Sequence, residues 1–174
     1  TLIASSPLTV NQSITNADGG DITLTATDDG GADDLTISAA VTATGGNGAI
    51  DLNAGRDLIV NNDVVVSTVG AGNITGDAVR AIDILSNAVT TMIQSVSGNI
   101  TLTANRGGTA VTGDFTGISI DDAIVTATTG NISLDGRGGD TDTTNRGIAL
   151  TTGTVVSTTG AGSGTITFDG DGVS

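Results

Sequence analysis

Aspartate is the only side chain in this sequence with the reactivity of a general acid or base. The chain has nineteen acidic residues, all Asp, and five basic residues, all Arg, with no His, Cys, Tyr or Trp. Two carboxylates can hydrolyse a glycosidic bond, so the adjacent pair Asp121 and Asp122 raises the hypothesis of a polysaccharide-degrading enzyme. Aspartate is equally typical of turns, and Phe115 and Phe168 are the only aromatic residues that could stack on a sugar. We therefore expect no enzymatic activity and keep hydrolysis as the least favoured alternative.

Aspartate clusters also suggest calcium, a cation that takes roughly six to eight oxygen ligands. The densest cluster lies in one loop and comprises Asp28, Asp29, Asp33 and Asp34. Its spacing matches neither an EF-hand nor the tandem repeat of calcium-binding β-rolls. We interpret these residues first as solvated turn aspartates, expect no required cofactor, and keep calcium as a candidate ligand.

Charge and hydropathy limit the classes of partner. The net charge of −14 opposes binding to the phosphates of nucleic acid, so we expect no nucleic-acid partner. No apolar run approaches the roughly eighteen residues of a membrane span, so we expect no membrane insertion. The absence of Cys means that disulfides do not stabilise the fold.

The elements that must position these residues repeat along the chain. Six short alternating segments carry an isoleucine at the same place, at intervals of 24 to 34 residues. These residues are Ile22, Ile50, Ile74, Ile100, Ile132 and Ile166. A period of this length indicates a solenoid, in which stacked repeats bury one continuous core. Two residues later the segments carry Leu or Phe, except at Gly76, where we expect a thin core or a neighbour that fills the space.

Each repeat contains two further alternating segments. The second segments start at Leu35, Leu58, Ile82, Ile118 and Ile148, and the third are marked by Val41, Val65, Val89, Val125 and Val155. Side chains alternate across a strand, so three strands per coil place the apolar positions inside. The pattern predicts an all-β fold, a right-handed parallel β-helix of about five to six coils. At a strand spacing of ~4.8 Å the rod is roughly 25 Å long.

The two ends of the pattern are incomplete. Leu8 and Val10 fit a second strand and Ile14 a third, with no clear first strand before them. At the other end the pattern stops just after a first strand, and neither end has a polar cap. We expect residues 1–174 to form a single β-solenoid segment of a longer protein, with end-to-end self-association favoured by its open ends.

Arginine has its own period. Arg56, Arg80 and Arg106 follow the repeat isoleucine by six residues, and Arg137 follows by five, so stacking places them along one edge. Like charges this close repel, and we expect nearby carboxylates to pair with them. The expected partners are Asp57, Asp77, Asp83 and Asp135.

Threonine alternation on a flat solenoid face is also typical of ice-binding surfaces. The outward positions of the first strands include Thr23 and Thr101, but also Asp51, Asp77 and other aspartates. A surface that orders ice should be uniform and uncharged, so we interpret these threonines as β-formers.

Loop length identifies the strongest candidate binding surface. The gap between first and second strands is eight residues from Ile50 to Leu58, but thirteen from Ile22, eighteen from Ile100 and sixteen from Ile132. Insertions on one edge of a solenoid often form its binding face. We expect loops 104–117 and 135–147 to be neighbours and to present a set of charged and aromatic residues. These are Arg106, Asp114, Phe115, Arg137, Asp140, Asp142 and Arg146.

Residues 98–104 (GNITLTA), the turn at residues 54–57 (AGRD) and the Val-rich third strands resemble the repeats of filamentous-haemagglutinin-type bacterial exoproteins. They are similar to the repeats of autotransporter passengers as well. The resemblance implies an extracellular or cell-surface bacterial protein, with this chain as a structural or adhesive shaft segment. A host or matrix glycan or protein would then be its partner. The alternative is a module that binds glycan, calcium or ice through the loop edge or the Thr face.

Overall fold

The computed structural model describes residues 1–87, 91–107, 109–141, 145–151 and 153–172. Within these ranges the regular elements are all β-strands, and no helix is long and apolar enough to cross a membrane. The strands form three sheets in which every pairing is parallel. Successive strands along the chain join successive sheets, so that three strands make one coil.

Sheet 1 contains the first strand of each coil. Its seven strands are β1 (Leu2–Ala4), β4 (Ile22–Ala26), β7 (Ile50–Ala54), β10 (Ile74–Ala78), β13 (Ile100–Ala104), β16 (Ile132–Arg137) and β19 (Ile166–Asp171). Sheet 2 contains the second strands. They are β2 (Leu8–Val10), β5 (Leu35–Ile37), β8 (Asp57–Val60), β11 (Ala81–Ile84), β14 (Ile118–Ile120) and β17 (Ile148–Leu150).

Sheet 3 contains the third strands. They are β3 (Ile14–Asn16), β6 (Val41–Ala43), β9 (Val65–Thr68), β12 (Met92–Ser95), β15 (Ile124–Ala127) and β18 (Val155–Thr158). The described strands therefore make six coils of three strands, followed by the first strand of a seventh. This confirms the parallel β-helix with three strands per coil.

The predicted isoleucine column runs through sheet 1. Pairing is in register from Ile22 to Ile166, and Ile50, Ile74 and Ile100 are completely buried. The last coil has no neighbour above it, so Ile166 is 37% exposed and Phe168, although in register with Leu134, is 49% exposed. Phe168 therefore keeps the register of the core column, but the open end leaves its ring half exposed.

Gly76 interrupts the column of leucines that lies beside the isoleucine column in sheet 1, and side chains of the adjacent coils fill the space. A Cβ added to Gly76 would lie 2.8 Å from Cδ2 of Leu102 and 3.0 Å from Cδ2 of Leu58. Both leucines are buried and lean into the space that Gly76 leaves. Of the two expected outcomes, filling by a neighbour is the one observed.

The first coil is complete, contrary to the expectation that it lacks a first strand. Strand β1 pairs in parallel with β4, with Leu2 beside Leu24. It is only three residues long and starts at the leucine position, so it has no isoleucine to align with the column. Leu2 and Ile3 are 47% and 64% exposed, so β1 lacks the burial alternation of the inner first strands β4 to β16.

Two of the third-strand markers point outward. Val66 and Val156 hold the inward register positions, and Val65 and Val155 face the opposite side of the sheet. A pair of adjacent valines offers two candidates of opposite orientation, so the pattern could not choose between them. Val89 lies outside the described residues, and the third strand of its coil is β12.

The corner between sheet 3 and sheet 1 is built from stacked glycines and side-chain amides. A Cβ on Gly98 would overlap the carbonyl oxygen of Gly72, and one on Gly130 would overlap that of Gly98. One residue later, Oδ1 of Asn73 accepts a hydrogen bond from the backbone N–H of Asn99 at 2.8 Å. Oδ1 of Asn99 accepts one from Asn131 at 2.9 Å, so each coil holds the next at this corner.

Candidate functional site

The two long loops between sheets 1 and 2 lie against each other, as predicted. The N–H of Gly139 donates to the carbonyl of Phe115 at 3.0 Å, and the N–H of Thr141 donates to that of Gly113 at 3.2 Å. At the far end the N–H of Gly117 donates to the carbonyl of Arg146 at 2.9 Å. We call Arg137 and the described residues of these paired loops (105–107, 109–117, 138–141 and 145–147) the loop edge.

Asn105 organises the base of the loop edge and was not singled out in the sequence. It is fully buried and has a positive φ of 55°. Its Oδ1 accepts from the N–H of Val111 at 2.7 Å, and its Nδ2 donates to the carbonyl of Arg137 at 3.3 Å. The side chain therefore closes its own loop and fastens it to the next coil.

Arg106 is a structural tie across three coils. Its side chain is only 15% exposed and makes ion pairs with Asp135, Asp169 and Asp171. Burial lowers the pKa of the guanidinium, but hydrogen bonds to Asp171 and Asp135 outweigh that effect and leave the pKa above its ordinary value. The pairing with Asp135 was predicted, and the reach to the last coil was not. Arg106 is therefore already occupied.

Phe115 is also occupied by an internal contact. The guanidinium carbon of Arg80 lies 5.6 Å from the centroid of the Phe115 ring, within the range of a cation–π interaction. The ring is half-buried and packs over the short edge of the preceding coil. It holds the loop edge down onto the solenoid.

The remaining predicted binding residues are more open. Arg137 Nε lies 3.9 Å from Asp171 Oδ2, and exposed Arg146 makes no ion pair within the described residues. Asp114 is exposed, while Asp140 Oδ1 accepts the N–H of Gly113 at 3.0 Å. The expected residue Asp142 lies outside the described residues. Arg137 and Arg146 are thus the cations of the loop edge best placed to meet a ligand.

Where the edge is short, arginine and aspartate alternate between coils. Arg56 binds Asp34 of the preceding coil through two hydrogen bonds of 2.8 Å. Arg80 binds Asp57 in the same way, and Asp57 is buried to 4% exposure with Arg56 on its other side. We call these four residues the arginine ladder. Hydrogen bonding to Asp34 and Asp57 raises the pKa of both guanidinium groups, against the opposing effect of burial.

Two of the predicted arginine partners do not pair. Within the described residues neither Asp77 nor Asp83 makes an ion pair, and Asp34 of the preceding coil takes the expected role instead. Asp83 faces outward from sheet 2 and is half-buried. Burial raises the pKa of its carboxyl, the charge of Asp57 adds to that effect, and Arg80 opposes it.

The four aspartates proposed for calcium have separate partners. Oδ2 of buried Asp33 accepts the N–H groups of Asp29 and Gly31, and Oδ1 of Asp28 accepts that of Gly30. Asp34 is bound by Arg56. In the part of the chain that the structure describes, no three acidic side chains come close enough to hold a metal ion. Calcium binding here stays a prediction without a preformed site behind it.

The carboxylate pair after β14 lies at the corner leading to sheet 3. Asp121 accepts a hydrogen bond from the hydroxyl of Thr151 in the next coil. Asp122 is exposed and has a positive φ of 51°, as expected of a turn residue. The two neighbours therefore serve the corner, one as a tie and one as the turn itself.

Apolar side chains are exposed at both ends of the stack. At the N-terminal end an open groove of about 490 Å³ is lined in part by Leu2, Ile14 and Ile22. At the other end Ile166 and Phe168 are exposed. These surfaces are the sites of the predicted end-to-end association, which stays a prediction.

Comparisons with family models, curated proteins and solved structures find no match to this chain. What can be inferred about its function therefore depends on its own residues.

Proposed function

We propose that this chain is a structural or adhesive shaft segment of a large secreted or surface-attached bacterial exoprotein, of the filamentous-haemagglutinin type. The observation that carries the proposal is that arginines and carboxylates pair with each other between coils. On the short edge, both arginines are committed to carboxylates of the preceding coil. On the long edge Arg106 joins three coils. The charged side chains that could take part in catalysis instead form ion pairs that hold one coil to the next.

The hydrogen-bond and ion-pair partners of the carboxylates support the same proposal. General acid–base catalysis needs a proton donor and acceptor poised beside a substrate. The buried carboxylates Asp33 and Asp57 are bound by backbone N–H groups and by arginines, and Asp121 is bound by a threonine of the next coil. The repetitive core and the absence of other acid–base residue types complete the argument for a non-catalytic role.

A shaft must carry load, so single-molecule force spectroscopy is the direct test. The chain is tethered by handles at its two ends beside a globular reference domain. We expect extension in steps of one coil, because neighbouring coils are joined by similar contacts. Asp57→Asn should lower the force at which its coils separate. Asp51→Asn, at an outward position where Asp51 makes no ion pair with any described residue, is the control.

Two outcomes contradict the shaft. One is collapse of the whole solenoid in a single event at a lower force than the reference domain. The other is hydrolysis of any member of a polysaccharide panel by the purified chain.

One observation favours a second candidate, recognition of an anionic glycan at the loop edge. Arg137 and Arg146 are the arginines that the structure leaves least committed, and both flank the same loop. Arginine is well suited to carboxylate and sulfate groups because of its planar set of donors. Binding of sulfated and uronic-acid oligosaccharides should be saturable and should be lost in Arg137→Ala/Arg146→Ala. Binding that is equal in this variant and in a Thr101→Ala control would exclude the site.

A further inference from the structure

The outer face of sheet 3 carries no charged side chain on its described strands. Side chains alternate in and out, so the outward positions follow from the buried ones. One outward column is aliphatic and consists of Val65, Met92, Ile124 and Val155 in register. The next is polar and uncharged and consists of Thr15, Thr42, Ser67, Gln94, Thr126 and Ser157. We call these two columns the neutral face.

The aliphatic surface continues beyond the strand ends. Val69 and Val96 follow β9 and β12 and are 37% and 40% exposed. On the opposite side the neutral face is bordered by Asp63 and Asp122 at turns with positive φ. An apolar centre with a polar border is the usual anatomy of an interaction surface.

The contrast with sheet 1 makes the neutral face informative. The outward positions of sheet 1 include Asp51, Asp77, Asp135 and Asp169, in a chain with a net charge of −14. Charged side chains at the outward positions would keep this face of the solenoid soluble at least as well as threonine and serine do. The complete absence of charged residues from the described strands of sheet 3 is therefore not required by the fold.

We propose that the neutral face is a docking surface for a second copy of this chain. Charge decides through which face two copies can approach each other. Two copies that approach through sheet 1 bring carboxylates against carboxylates, whereas two copies that approach through sheet 3 bring only uncharged side chains together. Two sheets stack face to face about 10 Å apart, and the β-branched and methionine side chains of the aliphatic column can fill that space.

Area and symmetry define the complex. Six strands at ~4.8 Å and two outward columns at roughly 7 Å give about 400 Å² on each copy, or about 800 Å² in total. This is below the roughly 1,000 Å² of a stable specific interface, so the complex is a weak, transient dimer. The same face on both copies makes a two-fold interface that stops at two, unlike end-to-end stacking, which continues without limit.

Sedimentation velocity at increasing protein concentration and at low and high NaCl tests the proposal. We expect a monomer–dimer equilibrium, with dissociation weakened at high salt because salt screens the repulsion between two acidic chains. Ser67→Asp/Thr126→Asp should raise the dissociation constant at least tenfold. Thr23→Asp/Thr101→Asp adds the same two charges on sheet 1 and should raise it far less, which separates the face from net charge.

Cross-linking gives a second measurement that does not depend on tolerance of a new charge. Because the chain has no cysteine, Gln94→Cys creates a single thiol near the middle of the neutral face. Oxidation should produce a disulfide-linked dimer, and Thr101→Cys on sheet 1 should not. Circular dichroism of each variant establishes that it is folded.

Several outcomes overturn the proposal. A chain that stays monomeric at all concentrations and salt levels has no docking face. Equal effects of the sheet 3 and sheet 1 double variants mean that net charge alone controls association. Oligomers that grow beyond two copies and are dispersed by Phe168→Asp mean that the open ends associate instead.

Discussion

The corner between sheets 3 and 1 and the edge between sheets 1 and 2 connect the same strands by different means. The corner has a constant plan in which Gly72, Gly98 and Gly130 stack on one another and side-chain amides bridge the coils. The edge changes from a two-residue turn at 55–56 to the long loops of residues 105–117 and 138–147. The corner keeps its geometry while its length ranges only from four to seven residues, whereas the edge ranges from two to thirteen residues.

This difference separates two tasks that a solenoid must perform. Close backbone contact and amide bridges at the corner hold the coils in register. At the edge, short turns are joined by ion pairs and long loops by hydrogen bonds from loop to loop. A loop can be lengthened at modest entropic cost as long as the register is held elsewhere. The functional surface can therefore change without a change of scaffold.

The largest expected effect is at the corner. Gly98→Ala places a methyl group on the carbonyl oxygen of Gly72 and must move one coil away from the other. We expect a loss of about 3 kcal/mol or more in the free energy of unfolding, as for severe overpacking. Chemical denaturation measures it. Gly107→Ala, on the loop edge with no described atom within 4 Å of the new Cβ, is the control and should change little. Similar losses in both variants would mean that the corner is not special.

The next effect is on the short edge. Asp57→Asn removes the charge shared by Arg56 and Arg80 while keeping the size of a buried side chain. Because both guanidinium groups are about one third exposed, solvent offsets part of the loss, and we expect about 1 to 2 kcal/mol in denaturation. Asp51→Asn should be nearly neutral. A neutral Asp57→Asn would mean that the arginine ladder contributes no stability.

A smaller effect separates the two corner devices. Asn99→Ala removes the acceptor that binds the N–H of Asn131, without changing the stacked glycines. The side chain is exposed, so water replaces part of the interaction, and we expect a loss of about 1 kcal/mol or less in the free energy of unfolding. Thr101→Ala, two residues later and within strand β13, is the reference in the same assay. A loss as large as that of Gly98→Ala would show that the amides, rather than the glycines, control the register.

The smallest effect concerns the pH dependence of sheet 2, beside the short edge. Burial raises the pKa of Asp83 in the folded state above its unfolded value near 3.8. Its contribution to stability is present below that unfolded value and is lost as pH rises through the folded pKa. Asp83→Asn should therefore flatten the decline in stability as pH rises above about 4, with a change below about 1 kcal/mol at neutral pH. Thermal unfolding between pH 3 and 7 measures it, and an unchanged slope contradicts the assignment.

The repeat itself was readable from the sequence because alternation and a constant isoleucine position carry it. Strand β1 was missed because three residues that start at Leu2, out of phase with the isoleucines, carry too little pattern. The glycine stack was missed for a different reason. Glycine is frequent in this chain, and only the distance to the neighbouring coil separates Gly98 from Gly107.

The ion pairs of the candidate site were the least predictable feature. Arg56 pairs with its neighbour Asp57, as expected, but its closest partner is Asp34, which the preceding coil contributes. Arg106 reaches Asp171, which is 65 residues away in sequence. Partner choice depends on how coils superpose and on where the chain bends, and neither is encoded in residue spacing alone.

The stacked register also determines how the molecule opens. Each inner coil is covered on two sides, whereas the outermost strands of sheet 1, β1 and β19, each have a partner on one side only. In such a one-dimensional array the free energy of local opening depends on neighbours, so it is lowest at the ends and highest in the middle. Backbone amides around Ile74 and Ile100 should thus exchange with solvent most slowly. The solenoid is expected to fray from its ends inward, with its central coils as the last folded unit.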